Sequence, residues 1–178
     1  MTELARVYGE GLFDLAREER LLDTIHEEMN ALGESFRAEP RFIRLLQSRA
    51  IPRAERLGIL DDSFRGRVHP YLLNFMKLLL ERGAFYAFSD CARYFHARWC
   101  EEKGIVEAHV VSAAPLAEAQ RQALTRKLGA ISGKRVVLLT QIDPAVMGGL
   151  KVDMEGRRYD NTIRHRLELM RRHLTDEA

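Results

Sequence analysis

Over the first hundred residues, apolar positions recur at intervals of three and four, the spacing that lines one face of a helix. Leu4, Val7, Tyr8, Leu12 and Leu15 form a first stripe, closed by the charged run from Arg17 to Arg20. Leu22, Ile25, Met29, Leu32 and Phe36 form a second, over residues 21–37. Pro40 and Pro52 each open another helix, because a proline in the first turn gives up an N–H that has no partner there. Their stripes are Phe42, Leu45 and Leu46, then Leu57, Leu60 and Phe64. Residues 63–70 read as a loop. The next run, from Pro70 to Arg82, is apolar nearly all round and stops at Gly83, a residue suited to a helix C-terminus. A sixth helix, over 84–103, carries Phe85, Phe88, Ala92, Phe95 and Trp99 and stops at Gly104. Six helices with short connections predict a compact bundle.

Beyond Gly104 the period falls to two. Val106, Ala108 and Val110 alternate with Glu107 and His109, as in a half-buried strand. Pro115 then opens a helix with the stripe Leu116, Ala123, Leu124, Leu128 and Ile131. The run RVVLLTQI at 135–142 is apolar on both parities and reads as a strand buried on both faces. Leu150, Val152 and Met154 alternate with Lys151, Asp153 and Glu155. A minor strand follows at 157–159, and Asp160-Asn161-Thr162 is a helix-start signal. The last helix carries Ile163, Leu167, Met170 and Leu174. The expected fold is therefore mostly α: a six-helix bundle over 1–104, then a small α+β domain (β-α-β-β-α) over 105–178.

Composition narrows the class. The chain has 178 residues, 46% of them hydrophobic, enough for a sizeable core and against global disorder. No run approaches the roughly 18 apolar residues that would span a bilayer. The N-terminus shows no signal-peptide pattern, so a soluble, cytoplasmic protein is expected. Cys91 and Cys100 on one helix would lie about 13 Å apart along its axis, beyond the roughly 7 Å a disulfide allows. Net charge is +2 but uneven: residues 1–50 carry seven basic and ten acidic groups, and residues 120–172 carry twelve basic and five acidic. That asymmetry suggests two domains with different partners.

Candidate chemistry is thin. GAISGKRV matches a phosphate loop only in its Gly-Lys pair, with Arg135 where a magnesium-binding hydroxyl would stand. His26, His69, His96, His109, His165 and His173 are scattered, and His96 with Cys100 alone has helical metal spacing, too few ligands for a site. Asp61-Asp62 and Glu101-Glu102 read as solvated charge. Gly148-Gly149 reads as a tight entry to a strand. Arg164, Arg171 and Arg172 share a basic face on the last helix, fit for a protein partner. The exposed aromatics of a single-strand nucleic-acid binder are not interleaved with them. No catalytic residue, cofactor or metal is expected.

Four segments in order resemble one family. ARVYGEGLFDLA at 5–16 resembles its opening helix, with Gly9 and Gly11 where alanine is common. NFMKLLLERGAF at 74–85, VVSAAPLAEAQ at 110–120 and VDMEGRRYDNTIRHRLELMRRHL at 152–174 resemble three further segments. In the last, Glu155-Gly156 departs from the usual Gly-Asp order and Asn161 replaces glycine. The family is the delta subunit of the bacterial proton-translocating ATP synthase, whose mitochondrial relative is the oligomycin-sensitivity-conferring protein.

The resemblance implies a non-catalytic stator subunit on the cytoplasmic face of the plasma membrane, peripheral and held there by the complex. It implies that the bundle grips the N-terminal helix of an alpha subunit between its first and fifth helices, through Tyr8, Gly11, Leu12, Leu15, Phe75, Leu78 and Leu79. It implies that the C-terminal domain holds the C-terminal helices of the b subunits. Gly149, Leu150, Val152, Ile163, Arg164, Leu167, Met170, Arg171 and Leu174 are the expected contacts. The rival expectation is a nucleic-acid-associated adaptor using the basic C-terminal domain.

Overall fold

In a computed structural model of the chain, residues 3–48, 50–163 and 165 are described. The chain divides into two compact units, residues 1–99 and 100–178. The protein is mostly helical, with a four-stranded sheet in its C-terminal part. Among the described residues no helix is long and apolar enough to cross a membrane.

The helical unit is built from α1 (Glu3–Glu18), α2 (Leu22–Ala38), α3 (Pro40–Gln47), α4 (Arg53–Phe64), α5 (Pro70–Glu81) and α6 (Phe88–Glu102), the last preceded by a single 3-10 turn at Phe85–Ala87. Helix α1 buries only part of the stripe its large side chains suggest. It buries Ala5, Gly9, Leu12, Phe13 and Ala16, while Val7 is 59% exposed. The reason is the small residues. A Cβ on Gly9 would stand 2.9 Å from a Tyr94 ring carbon, so α6 packs directly on the α1 backbone there. Phe13 meets Phe95 edge to face at 5.6 Å. At the far side of the core, Phe36 stacks nearly parallel to Phe42 and meets Phe64, Phe85 and Phe88 edge to face, at centroid distances of 5.1–6.0 Å, the stacked and edge-to-face geometries that ring quadrupoles favour.

Polar groups tie the helices at chosen points. Asp61, expected to be a solvated charge, is only 14% exposed and pairs with Arg65 on its own helix and with Lys77 across on α5. The histidines are not all scattered either. His26 on α2 and His96 on α6 share a hydrogen bond of 2.7 Å between Nε2 and Nδ1. The Trp99 indole stacks on His26 at 3.9 Å and donates to Asp23. These groups lie seventy or more residues apart in sequence, so no local spacing announces them.

The second unit holds β1 (Ile105–Ser112), α7 (Glu118–Ser132), β2 (Arg135–Ile142), β3 (Leu150–Met154) and β4 (Arg157–Asp160). The sheet order is β2-β1-β3-β4, with β1 and β2 parallel and the other pairs antiparallel. A crossover helix is what a parallel neighbour requires. Val106, Ala108, Val110, Val136, Val152 and Met154 form the buried face, covered by Leu128 and Leu124 of α7. Helix α7 begins at Glu118, not Pro115, because the Gln120 side chain accepts from the Ala117 amide and completes the first turn. Ile131, assigned to the stripe, is 59% exposed.

Strand β2 is the main correction in this unit. It lies at the edge of the sheet and only Val136 is buried, while Val137, Leu139 and Ile142 are exposed. Continuous hydrophobicity predicts burial on both faces; among the described residues one face is covered by α7, and Val137 and Leu139 on the other are exposed. The minor strand at 157–159 is β4, joined to β3 by a two-residue turn, Glu155-Gly156, with φ of 51° and 74°. Positive φ at both positions matches the right-handed twist of the flanking strands.

Candidate functional site

An apolar groove opens on the helical unit between α1 and α5. It encloses about 340 Å³ and is lined by Val7, Tyr8, Gly11, Leu12 and Leu15 from one helix and Tyr71, Asn74, Phe75 and Leu78 from the other. The two walls follow from helical spacing. Val7, Gly11 and Leu15 stand four apart on α1; Tyr71, Asn74 and Leu78 fall at steps of three and four on α5. Val7, Tyr8, Leu12 and Leu15 of the α1 stripe thus form a groove wall, with Leu12 shared between groove and core, while Leu4 packs against the core.

Helix α5 carries hydrophobic side chains all round and divides them. Leu72, Leu73, Phe75, Met76, Leu79 and Leu80 are buried, whereas Leu78 is 38% exposed. Leu79, expected on the groove wall, is fully buried: one residue along a helix turns about 100°, which carries it from groove to core. Val7, Tyr71 and Asn74 join the wall without having been expected. Asn74 was hidden by its polarity, although its spacing from Leu78 and Tyr71 places it on the same face. At Gly11 a Cβ would meet nothing within 4 Å, so the groove stays open there for want of a side chain. The start of α5 is held firmly. The His69 ring accepts from the Tyr71 amide, and its own amide donates to Glu28 of α2 at 2.8 Å.

The residues expected to meet a second partner are placed differently. Val152 is 5% exposed and belongs to the sheet core. Gly149 has φ +84°, and a Cβ there would lie 2.3 Å from the Asn161 carbonyl oxygen. It lets the backbone pass close to Asn161 at the end of the sheet, a packing role, although the residue itself is exposed. Leu150 is half-buried and Ile163 is 48% exposed. Arg164, Leu167, Met170, Arg171 and Leu174 lie outside the described residues. The helix-start signal before them is formed: the Thr162 hydroxyl accepts from the His165 amide, and Asp160 accepts from both the hydroxyl and the amide of Thr162. Those two bonds, the hydroxyl's first, hold the Asp160 carboxyl below the usual carboxylate range.

The two cysteines form no disulfide, and neither thiol is activated. Burial, with a smaller push from the Asp90 charge, raises Cys91 to about 11. Burial followed by Glu107 raises Cys100. A thiol in that state is a poor nucleophile at neutral pH. What the groove offers is shape and hydrocarbon, which suit an amphipathic helix laid between two others.

Comparison with known proteins covers nearly the whole chain. The model of the family described as ATP synthase delta (OSCP) subunit matches residues 4–174. The ATP synthase subunit delta of Chlorobium luteolum is 32% identical over 173 residues, 97% of this chain and 96% of that protein. The protein of the same name from Lactobacillus gasseri is 32% identical over 178 residues, 98% and 96% of the two chains. Among solved structures, a chain of the Toxoplasma gondii mitochondrial ATP synthase hexamer shares the fold with a TM-score of 0.78, at 17% identity and 98% coverage of both chains.

Proposed function

Because the chain belongs to the ATP synthase delta (OSCP) subunit family, we propose that it is the stator connector between the catalytic head and the peripheral stalk of a proton-translocating ATP synthase. In this reading the helical unit holds the N-terminal helix of an alpha subunit in the α1–α5 groove. The C-terminal unit holds the C-terminal helices of the b subunits, through the exposed side of Ile163 and the residues that follow it. The connector resists rotor torque, so that rotation drives conformational change in the head. It makes and breaks no bonds, works from the cytoplasmic face, and is peripheral to the membrane.

The observation that carries this reading is the groove itself. A monomer that buries Phe13, Met76 and Leu79 completely yet leaves Val7 and Leu78 open in one preformed trough presents a site for an apolar stripe. Burying each such side chain on a partner stabilises a complex by about 1.5–3 kcal/mol before the cost of association. The nucleic-acid reading has only the net charge of the C-terminal part behind it.

Gly11→Trp tests the groove. Nothing lies within 4 Å of the new Cβ, so the helical unit should fold as before while the indole fills the trough. Calorimetric titration with an alpha-subunit N-terminal peptide should show binding about thirtyfold weaker or worse, the size of one lost central contact. A Gly11→Trp protein that binds this peptide as tightly as the wild type would place the head contact elsewhere.

A further inference from the structure

The open edge of β2 is left unexplained by the stator reading. The Arg135 amide donates to the Gly104 carbonyl, and the Asp143 amide donates to the Ser112 carbonyl. Both bonds point toward β1. Backbone groups alternate sides along a strand, so Val137, Leu139 and Gln141 also face β1. Val136, Leu138, Thr140 and Ile142 therefore turn their N–H and C=O groups to the free edge, where no strand pairs with them among the described residues.

Natural edge strands are blunted by charge, proline, bulges or brevity. Strand β2 uses none of these over residues 136–142, VVLLTQI, and it pairs with β1 along its full length. Its outer face shows Val137 at 40% and Leu139 at 39% exposure. On the α7 side, a cleft beside Leu138 is lined by Arg121, Thr125 and Arg126. Neither arginine has an ion-pair partner among the described residues, and Glu118, the acid in the cleft, is engaged by Gln122.

We propose that the β2 edge takes an extended, acidic segment of a partner chain as a fifth strand. Its backbone bonds Val136, Leu138, Thr140 and Ile142; its acidic side chains lie over Arg121 and Arg126, and its apolar ones beside Val137 and Leu139. Open backbone groups in a row call for a partner with open backbone groups, which a helix lacks. The period of two along β2 then requires the segment to alternate acidic and apolar residues. This inference does not depend on which protein supplies the segment, and it concerns a different strand from the expected b-subunit contacts on β3.

The test uses the full chain, labelled with nitrogen-15, and a synthetic peptide alternating glutamate and valine. Titration should shift the amide signals of Val136, Leu138, Thr140 and Ile142 and slow their hydrogen exchange about tenfold at saturation. Thr140→Pro removes an outward N–H while sparing the ladder to β1; it should weaken binding about tenfold. Arg121→Glu with Arg126→Glu should weaken it by a similar factor and flatten its dependence on salt. The proposal fails if a lysine–valine peptide binds equally well, if the shifts map to another surface, or if the outward amides are already protected in the free protein. It also fails if a folded Thr140→Pro protein binds like the wild type. Should Thr140→Pro not fold, exchange in the wild-type chain decides alone.

Discussion

In residues 1–99, Phe36 sits among Phe42, Phe64, Phe85 and Phe88, and Phe13 is enclosed by Phe95 and the Arg98 guanidinium. In residues 100–178 the described core is aliphatic and one-sided: Val106, Ala108, Val110, Leu128, Val136, Val152 and Met154. The helical unit packs densely enough to keep a trough open without collapse. Among the described residues, the sheet unit covers one face of its sheet with a helix and leaves an apolar edge. The first offers a preformed site whose shape exists before the partner arrives. The second offers an unfinished one, which a partner would complete. Sites of the first kind lose little entropy on binding; sites of the second draw on backbone hydrogen bonds that only the partner can supply.

The largest expected effect comes from separating the two. Gly104 has φ +61° and follows the exposed run Glu101-Glu102-Lys103, which suits a hinge. We expect limited proteolysis to cut within 101–106 and leave an N-terminal fragment with full helical circular dichroism and a cooperative melt. A fragment that unfolds on cleavage would break the comparison, since its core would then depend on the rest of the chain.

Next in size is the contrast between core and edge. Phe13→Ala empties a site that is 1% exposed, and should destabilise the helical unit by about 3–5 kcal/mol in denaturant titration. Leu139→Ala, at 39% exposure, should change the stability of the sheet unit by no more than about 0.5 kcal/mol. A large cost at Leu139 would mean that the edge is already packed in the free protein, and that the sheet unit is finished after all.

How much of this was legible beforehand depends on what each signal measures. The helices of the first unit, their starts at Pro40, Pro52 and Pro70 and the change of period after Gly104 could be read from the chain, because they rest on local spacing and turn chemistry; the start at Pro115 could not, since α7 begins three residues later. The identity of the buried face of α1 could not. Hydropathy ranks Leu4, Val7 and Leu15 above Ala5, Gly9 and Ala16, yet the small residues face the core because α6 comes close at Tyr94. That close approach is a tertiary fact. The same holds for β2, where seven residues of apolar sequence cannot say which neighbours the strand will have. Six of the seven expected groove residues do line the groove; Leu79 does not. The groove contacts entered through family resemblance, and only the spacing on α5 could have added Tyr71 and Asn74. His26 with His96, and Asp61 with Lys77, are pairings across the fold that a linear pattern does not contain.

The smallest expected effect lies at the end of the sheet unit and sets a sign on its response to acid. Asp160 is depressed in the folded state by the Thr162 hydroxyl and amide. A carboxyl lowered by folding adds stability that is fully present above its unfolded pKa and is lost as pH falls through the folded one. Acid should therefore loosen the turn between β4 and Thr162 only below the ordinary carboxylate range. The carboxyl carbon of Asp160, followed by NMR, should titrate at a lower pH than a solvated aspartate. Thr162→Val, which deletes the hydroxyl's bond and keeps the amide's, should move that midpoint back toward the ordinary value, and Thr162→Ser should not. If Thr162→Val leaves the midpoint in place, the hydroxyl is not what holds the charge. The helix start at Thr162 would then owe its position to the backbone alone, as the packed passage of Gly149 beneath Asn161 would also allow.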